Sequence, residues 1–264
     1  MKLRTVCLVV MLAAQAMYAQ SPQGPPAVTR PEDEPMGLLF MGTPLAKLPG
    51  GIPSKEGKVT LFADYARAVK GKDVDVYLIN RSDRDIVLGA QDGDVYLKLE
   101  ARSKDGTWVR VQPHAFSWCG NSYDFRPEVK KECFYKIRGH QPKEGKPATI
   151  RFRLYMQEGL DLATDAGEGM VSEKEAEKAA TDVLAVETGS FEFVRDIATG
   201  ARKIVNTTDH IKDMQGVAIR TLGTGDFPKE KVEPLLDEIG RRFPGKLGDV
   251  TYARSRLIEK DLKK

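Results

Sequence analysis

The chain has 264 residues, with 41 Lys plus Arg against 38 Asp plus Glu and 41% hydrophobic residues. Its 24 glycines, 15 prolines and 3 cysteines exclude a collagen-like repeat, a low-complexity chain and a disulfide-dense mini-protein. The length fits one large domain or two modest ones.

The first residues read as an export signal. Lys2 and Arg4 precede an apolar run from Val6 to Ala14, followed by small residues at Ala14, Ala16 and Ala19. Cleavage after Ala16 satisfies the small-x-small rule and assigns 1–16 to the signal peptide; cleavage after Ala19 is the alternative. The run is shorter than the roughly 20 residues of a membrane span, and no later segment is long and apolar enough to be one. The expected location is periplasmic or extracellular. Without Lys2 and Arg4 the balance is 39 basic to 38 acidic residues, or +1. With no basic block in the remainder, nucleic acid is not an expected partner.

Residues 17–35 are rich in proline and poor in large apolar side chains, as in a disordered linker. The short apolar run that follows ends in Pro and Gly breakers and reads as an edge strand. From Gly57 to Met156 seven segments carry β-branched and aromatic residues in rough alternation: KVTLFADY, DVDVYLIN, DIVLGA, DVYLKLEAR, TWVRVQ, CFYKIR and ATIRFRLYM. Asn, Asp and Gly clusters at 80–83, 91–94 and 104–106 separate several of them. Val95, Leu97 and Leu99 alternate with Tyr96, Lys98 and Glu100, predicting one buried and one wet face. The pattern resembles an immunoglobulin-like or fibronectin-like antiparallel β-sandwich in architecture alone, since Trp118 sits directly before Cys119 rather than between distant cysteines. The expected class is mainly β, with the sandwich domain over 36–207.

Residues 157–187 hold nine carboxylates against Lys174 and Lys178, a local balance of −7. Within this acidic insertion at about 158–187, Ser172 and Glu175 form a capping box and Val171 and Ala176 a hydrophobic staple, predicting a short helix. Phe191, Phe193 and Ile197, with a turn at Thr199 and Gly200 before Ile204 and Val205, predict a last hairpin completing the sandwich. Residues 208–264 read as helical. Val232, Leu235, Leu236 and Ile239 mark one helix, opened by Asp226 or later because of Pro234 and closed by Pro244 and Gly245; Asp249 opens a second, giving an αα-hairpin.

Cys119 and Cys133 remain after the signal peptide. In an oxidising compartment they are expected to form a disulfide whose closed loop contributes about 3 kcal/mol. With His114 and His140 flanking them, a metal-binding protein is the alternative, although the spacing matches no usual ligand set. A catalytic thiol would have to stay reduced. Asp161, Asp165 and Glu168 are weak calcium candidates without the EF-hand spacing. Carboxylates near 158–168 could also serve an extracellular hydrolase, but no catalytic motif selects a pair. Phe116, Trp118, Tyr123 and Phe125 form an aromatic stretch suited to binding a protein or glycan, and Trp108 reads as core. Asn80-Arg81-Ser82 and Asn206-Thr207-Thr208 match the N-glycosylation sequon. The favoured expectation is an exported, non-catalytic binding or structural module without a cofactor.

Overall fold

The computed structural model describes residues 42–69, 72–91, 94–116, 126–155 and 160–262, all within a unit spanning residues 36–264. Residues 1–16, expected to be a signal peptide, and 17–35, expected to be a linker, lie outside the described residues, as do Trp118, Cys119, Tyr123, Phe125 and Glu158. The strands are β1 (Thr43–Pro44), β2 (Val59–Ala63), β3 (Val74–Asn80), β4 (Ile86–Val87), β5 (Ala90–Gln91), β6 (Asp94–Val95), β7 (Leu97–Arg102), β8 (Trp108–Arg110), β9 (Glu128–Val129), β10 (Cys133–Gly139), β11 (Lys146–Leu154) and β12 (Gly167–Val171). Among the described residues six α-helices follow: α1 (Glu173–Ala179), α2 (Val183–Glu187), α3 (Phe191–Ala198), α4 (Met214–Thr224), α5 (Lys229–Arg242) and α6 (Leu247–Leu262).

Each of the seven segments read as extended contains strand. They build two four-stranded antiparallel sheets, in the orders β1-β10-β3-β2 and β12-β11-β7-β8, with short pairs β4-β9 and β5-β6 beside them. One apolar core lies between the sheets. Val74, Val76, Leu78 and Ile137 come from the first, and Leu97, Leu99, Ile150 and Phe152 from the second. The apolar run at 36–41 lies outside the described residues, and directly after it Thr43–Pro44 forms a short edge strand in which Thr43 pairs with Phe134 of β10. Leu45, Leu48 and Ile52 then cover the outer face of the first sheet against Tyr77, Ile79 and Phe134.

The protein is mixed rather than mainly β. The expected hairpin at 191–205 is instead helix α3, because Ser190 accepts a hydrogen bond from the Phe193 amide as N-cap. Val194, Ile197 and Ala198 are buried there, at helical spacing from Phe191. The even spacing of Phe191 and Phe193 was a coincidence of two periods. The capping box at Ser172 does open a helix, since its hydroxyl accepts from the Glu175 amide. That helix stops at Ala179, and Asp182 caps a separate α2. Residues 160–164 continue along β11, with Thr164 donating to the Phe152 carbonyl.

The helices share a second core of Val183, Val194, Ile197, Val217, Leu222, Val232, Leu236, Ile239 and Leu257. α5 begins at Lys229, earlier than Pro234 suggests, with Pro228 rather than Asp226 at the N-cap, and Val232, two residues before the proline, is buried in the helical core. α5 and α6 follow each other as expected, but α6 packs mainly on α4. Their crossing is made by Gly223, where a Cβ would run into the backbone of Ala253.

This contact reverses the ordinary helix propensity. Gly223→Ala should destabilise the fold by about 1–3 kcal/mol through overpacking. Gly240→Ala, whose Cβ would meet Leu247 at 3.7 Å, should stabilise it by about 0.5–1 kcal/mol. Urea unfolding of the two variants checks both signs.

Candidate functional site

The outer face of β7 and β8 carries charge where the alternation predicted water. Glu100 is buried, accepting from Arg151 Nε at 2.6 Å and Tyr155 OH at 2.7 Å. Burial and this carboxylate push the Tyr155 hydroxyl well above the ordinary phenol range. Arg151 stacks over the Trp108 ring at 4.4 Å, so Trp108 is half-buried beneath a cation rather than set in the apolar core. Further along, Arg110 meets Asp182 in a two-pronged pair of 2.9 and 2.6 Å, with the side chains 8% and 0% exposed. Asp182 also accepts from the His114 amide and, as N-cap, from the Ala185 amide, each at 2.8 Å. Arg110 donates to the carbonyls of Ala179 and Gln112. Strand β8, residues 112–114 and the α1–α2 junction are thus fastened at one point.

The same junction positions Phe116. Its amide donates to Asp209 at 3.3 Å, and Asp209 is held by the Asn206 side chain and the Ile211 amide. His114 packs edge-on against Phe116 with centroids 4.4 Å apart, and against Tyr96 at 4.8 Å. Gln91 Oε1 lies 3.2 Å from His114 Nε2, which fits a neutral ring donating from that nitrogen. Burial, with Lys98 and Arg110 nearby, lowers the His114 pKa to about 3. Burial also lowers Lys98 to about 8, with Arg110 reinforcing the shift.

Beyond Phe116 opens a cavity of about 490 Å³ between the β-layer and the helices. Gly89, Ala90 and Tyr96 line one side; Val183, Glu187, Val217, Arg220, Thr221, Thr224 and Tyr252 line the other, and Phe116 and Arg126 stand at the ends of the aromatic segment. Glu187 Oε2 is buried without a hydrogen-bond donor. Desolvation raises the Glu187 pKa to about 7 against the opposing pull of Arg220. Arg220 is engaged by Asp249. The size falls within the roughly 300–1,000 Å³ of small-molecule sites.

The residues singled out from sequence are dispersed. Phe116 lines the cavity, and Arg126, not anticipated, bounds the same segment. Asp161 is exposed and paired with Arg153 at 2.6 Å; Asp165 and Glu168 are also exposed. Among the described residues no three His, Cys, Asp or Glu side chains are grouped to hold a metal, so Asp161, Asp165 and Glu168 do not assemble a calcium site. His114 is buried in its aromatic stack, whereas His140 is exposed beside Asp73. Cys133, half-buried at the start of β10, is bonded to no other cysteine among the described residues; its expected partner Cys119 lies outside them. The Asn80 and Asn206 amides donate to internal acceptors, among them the Val129 and Ile211 carbonyls, and both residues are buried. Neither is presented as a glycan acceptor. No helix among the described residues is long and apolar enough to cross a membrane. No protein-family model, curated protein or solved structure matches the chain.

Glu187 and Asp182 escaped sequence reading because they looked like two more members of an acidic run. A signal was present in Asp182-Val183-Leu184, an N-cap followed by apolar residues.

Two buried groups titrate in opposition. The unfolded chain protonates His114 near 6.5 and the fold resists to about 3, so stability is lost as pH falls through that window. The fold keeps Glu187 protonated to about 7 against 4.5 when unperturbed, so stability is lost as pH rises through that one. Between these limits each contributes a slope of at most about 1.4 kcal/mol per pH unit, of opposite sign. Relative to the native chain, Glu187→Gln should therefore make stability rise more steeply from pH 4.5 to 6.5, and His114→Asn should make it fall. Urea midpoints across that range read the slopes.

Proposed function

We propose that the protein is an exported, non-catalytic binding module whose ligand site is the cavity between the β-layer and the helices. The carrying observation is that Phe116 and Arg126, the two flanks of the aromatic segment 117–125, line one cavity together with residues from the sheet side and from α2, α4 and α6. In this reading the two sheets form an immunoglobulin-like sandwich acting as scaffold, and the aromatic stretch of Phe116, Trp118, Tyr123 and Phe125 serves ligand recognition. Cys119 and Cys133 close that segment as a disulfide once the chain reaches an oxidising compartment. A non-catalytic role is supported by Glu187 being the one carboxylate among the described lining residues, because paired-carboxylate hydrolysis needs a second one on the opposite side of the substrate.

The anionic aromatic probe anilinonaphthalenesulfonate tests the cavity directly. Its fluorescence should rise saturably on the folded chain with 1:1 stoichiometry. Thr224→Trp, an exposed lining position at the end of α4, should weaken binding at least tenfold while leaving the unfolding midpoint in place. Non-saturable binding, or binding indifferent to Thr224→Trp, contradicts the reading. Intact mass of exported protein should begin at Met17 and be two hydrogens lighter than its reduced form; retention of the first 16 residues, or no mass change on reduction, removes the export or disulfide part respectively.

A further inference from the structure

Resting on the cavity reading above, we infer that the ligand is a small, ring-bearing hydroxy-carboxylate of the uronic-acid type. Its carboxylate would be taken by Arg126, a hydroxyl by Glu187 and its apolar ring face by the aromatic wall. Each part answers a feature of the cavity. Arg126 is exposed and makes no ion pair among the described residues, whereas the other guanidinium, Arg220, is matched by Asp249. The anion-binding capacity therefore lies with Arg126, whose planar fork suits a carboxylate. Glu187 Oε2 has no hydrogen-bond partner and is buried, a costly state for a carboxyl oxygen whether or not the group carries its proton, and one that a ligand hydroxyl would relieve.

The donor should be neutral. An ammonium brought to Glu187 would also enter a site walled by Arg220 and Arg126, so a zwitterion is disfavoured beside a hydroxyl. Thr221 and Thr224 use their hydroxyl hydrogens on the Val217 and Arg220 carbonyls, leaving oxygen lone pairs that favour a ligand rich in donors. Tyr96, Phe116 and Tyr252 bring three aromatic rings to the lining, and aromatic side chains are the usual partners of a ligand's apolar ring surface.

Amide spectra of the full chain, titrated separately with glucuronate, glucose, cyclohexanecarboxylate and indole, test the assignment. Glucuronate should shift Ala90, Thr221 and Thr224, with glucose at least tenfold weaker. Arg126→Ala should weaken glucuronate at least tenfold with an unchanged unfolding midpoint. Glu187→Leu should erase the preference for glucuronate over cyclohexanecarboxylate, which keeps ring and charge but has no hydroxyls. If glucose or indole shifts these resonances and glucuronate does not, or if Arg126→Ala leaves glucuronate binding intact, the ligand class is wrong while the cavity remains a binding site. If no probe shifts them, both the ligand class and the cavity reading fall.

Discussion

The burial of one ion pair organises the relation between sheet and helices. Arg110 and Asp182 are both removed from water, a state that is costly unless geometry and hydrogen bonding are complete. Here they are complete in the ways that matter. Asp182 receives both prongs of the guanidinium and two backbone amides, and Arg110 spends its further donors on two carbonyls. An edge strand therefore cannot move relative to the start of α2 without exposing an uncompensated charge inside the protein. The His114 amide belongs to the same set, which fixes the chain leading to Phe116. The cavity lies beside this junction, lined by Gly89, Ala90 and Tyr96 on one side and by Val183, next to Asp182, on the other.

That arrangement sets the electrostatics of the neighbourhood. Burial, reinforced by Lys98 and Arg110, keeps His114 neutral, and burial reinforced by Arg110 draws Lys98 downward. On the far side of Asp182, α2 carries Glu187 to the cavity wall, where it retains a proton to about pH 7. A polar layer between a sheet and a helical core is an expensive way to join two layers. It gives direction that a purely apolar contact lacks, and directional contacts hold a cavity open between surfaces that would otherwise slide together.

Much of the β-layer was legible because its residues obey a local rule. Val74, Val76 and Leu78 alternate along β3, and Ser172 with Glu175 marks its helix start without reference to anything distant. The misread parts depended on partners far along the chain. Lys98 and Glu100 looked like a solvated face until Arg151, Tyr155 and the α1–α2 junction covered it. Phe191 and Phe193 satisfied a strand period as well as a helical one, and the N-cap at Ser190 together with the apolar surface of α4 decided between them. Of the site, only Phe116 was singled out, since an aromatic stretch is visible in sequence. Glu187 was hidden among carboxylates, and Arg126 has no sequence feature separating it from other surface arginines.

A double-mutant cycle on Arg110 and Asp182 is the most direct measurement of the central claim. Asp182→Asn keeps a capping oxygen while removing the charge, and Arg110→Met keeps much of the stem. Each single substitution strands a buried partner and should cost about 3–5 kcal/mol in urea unfolding. The double variant should recover about 2–3 kcal/mol of the summed loss as coupling. Losses of under about 1 kcal/mol, as for an exposed pair, or additivity within about 0.5 kcal/mol, would contradict the view that this junction holds the sheet and helices together.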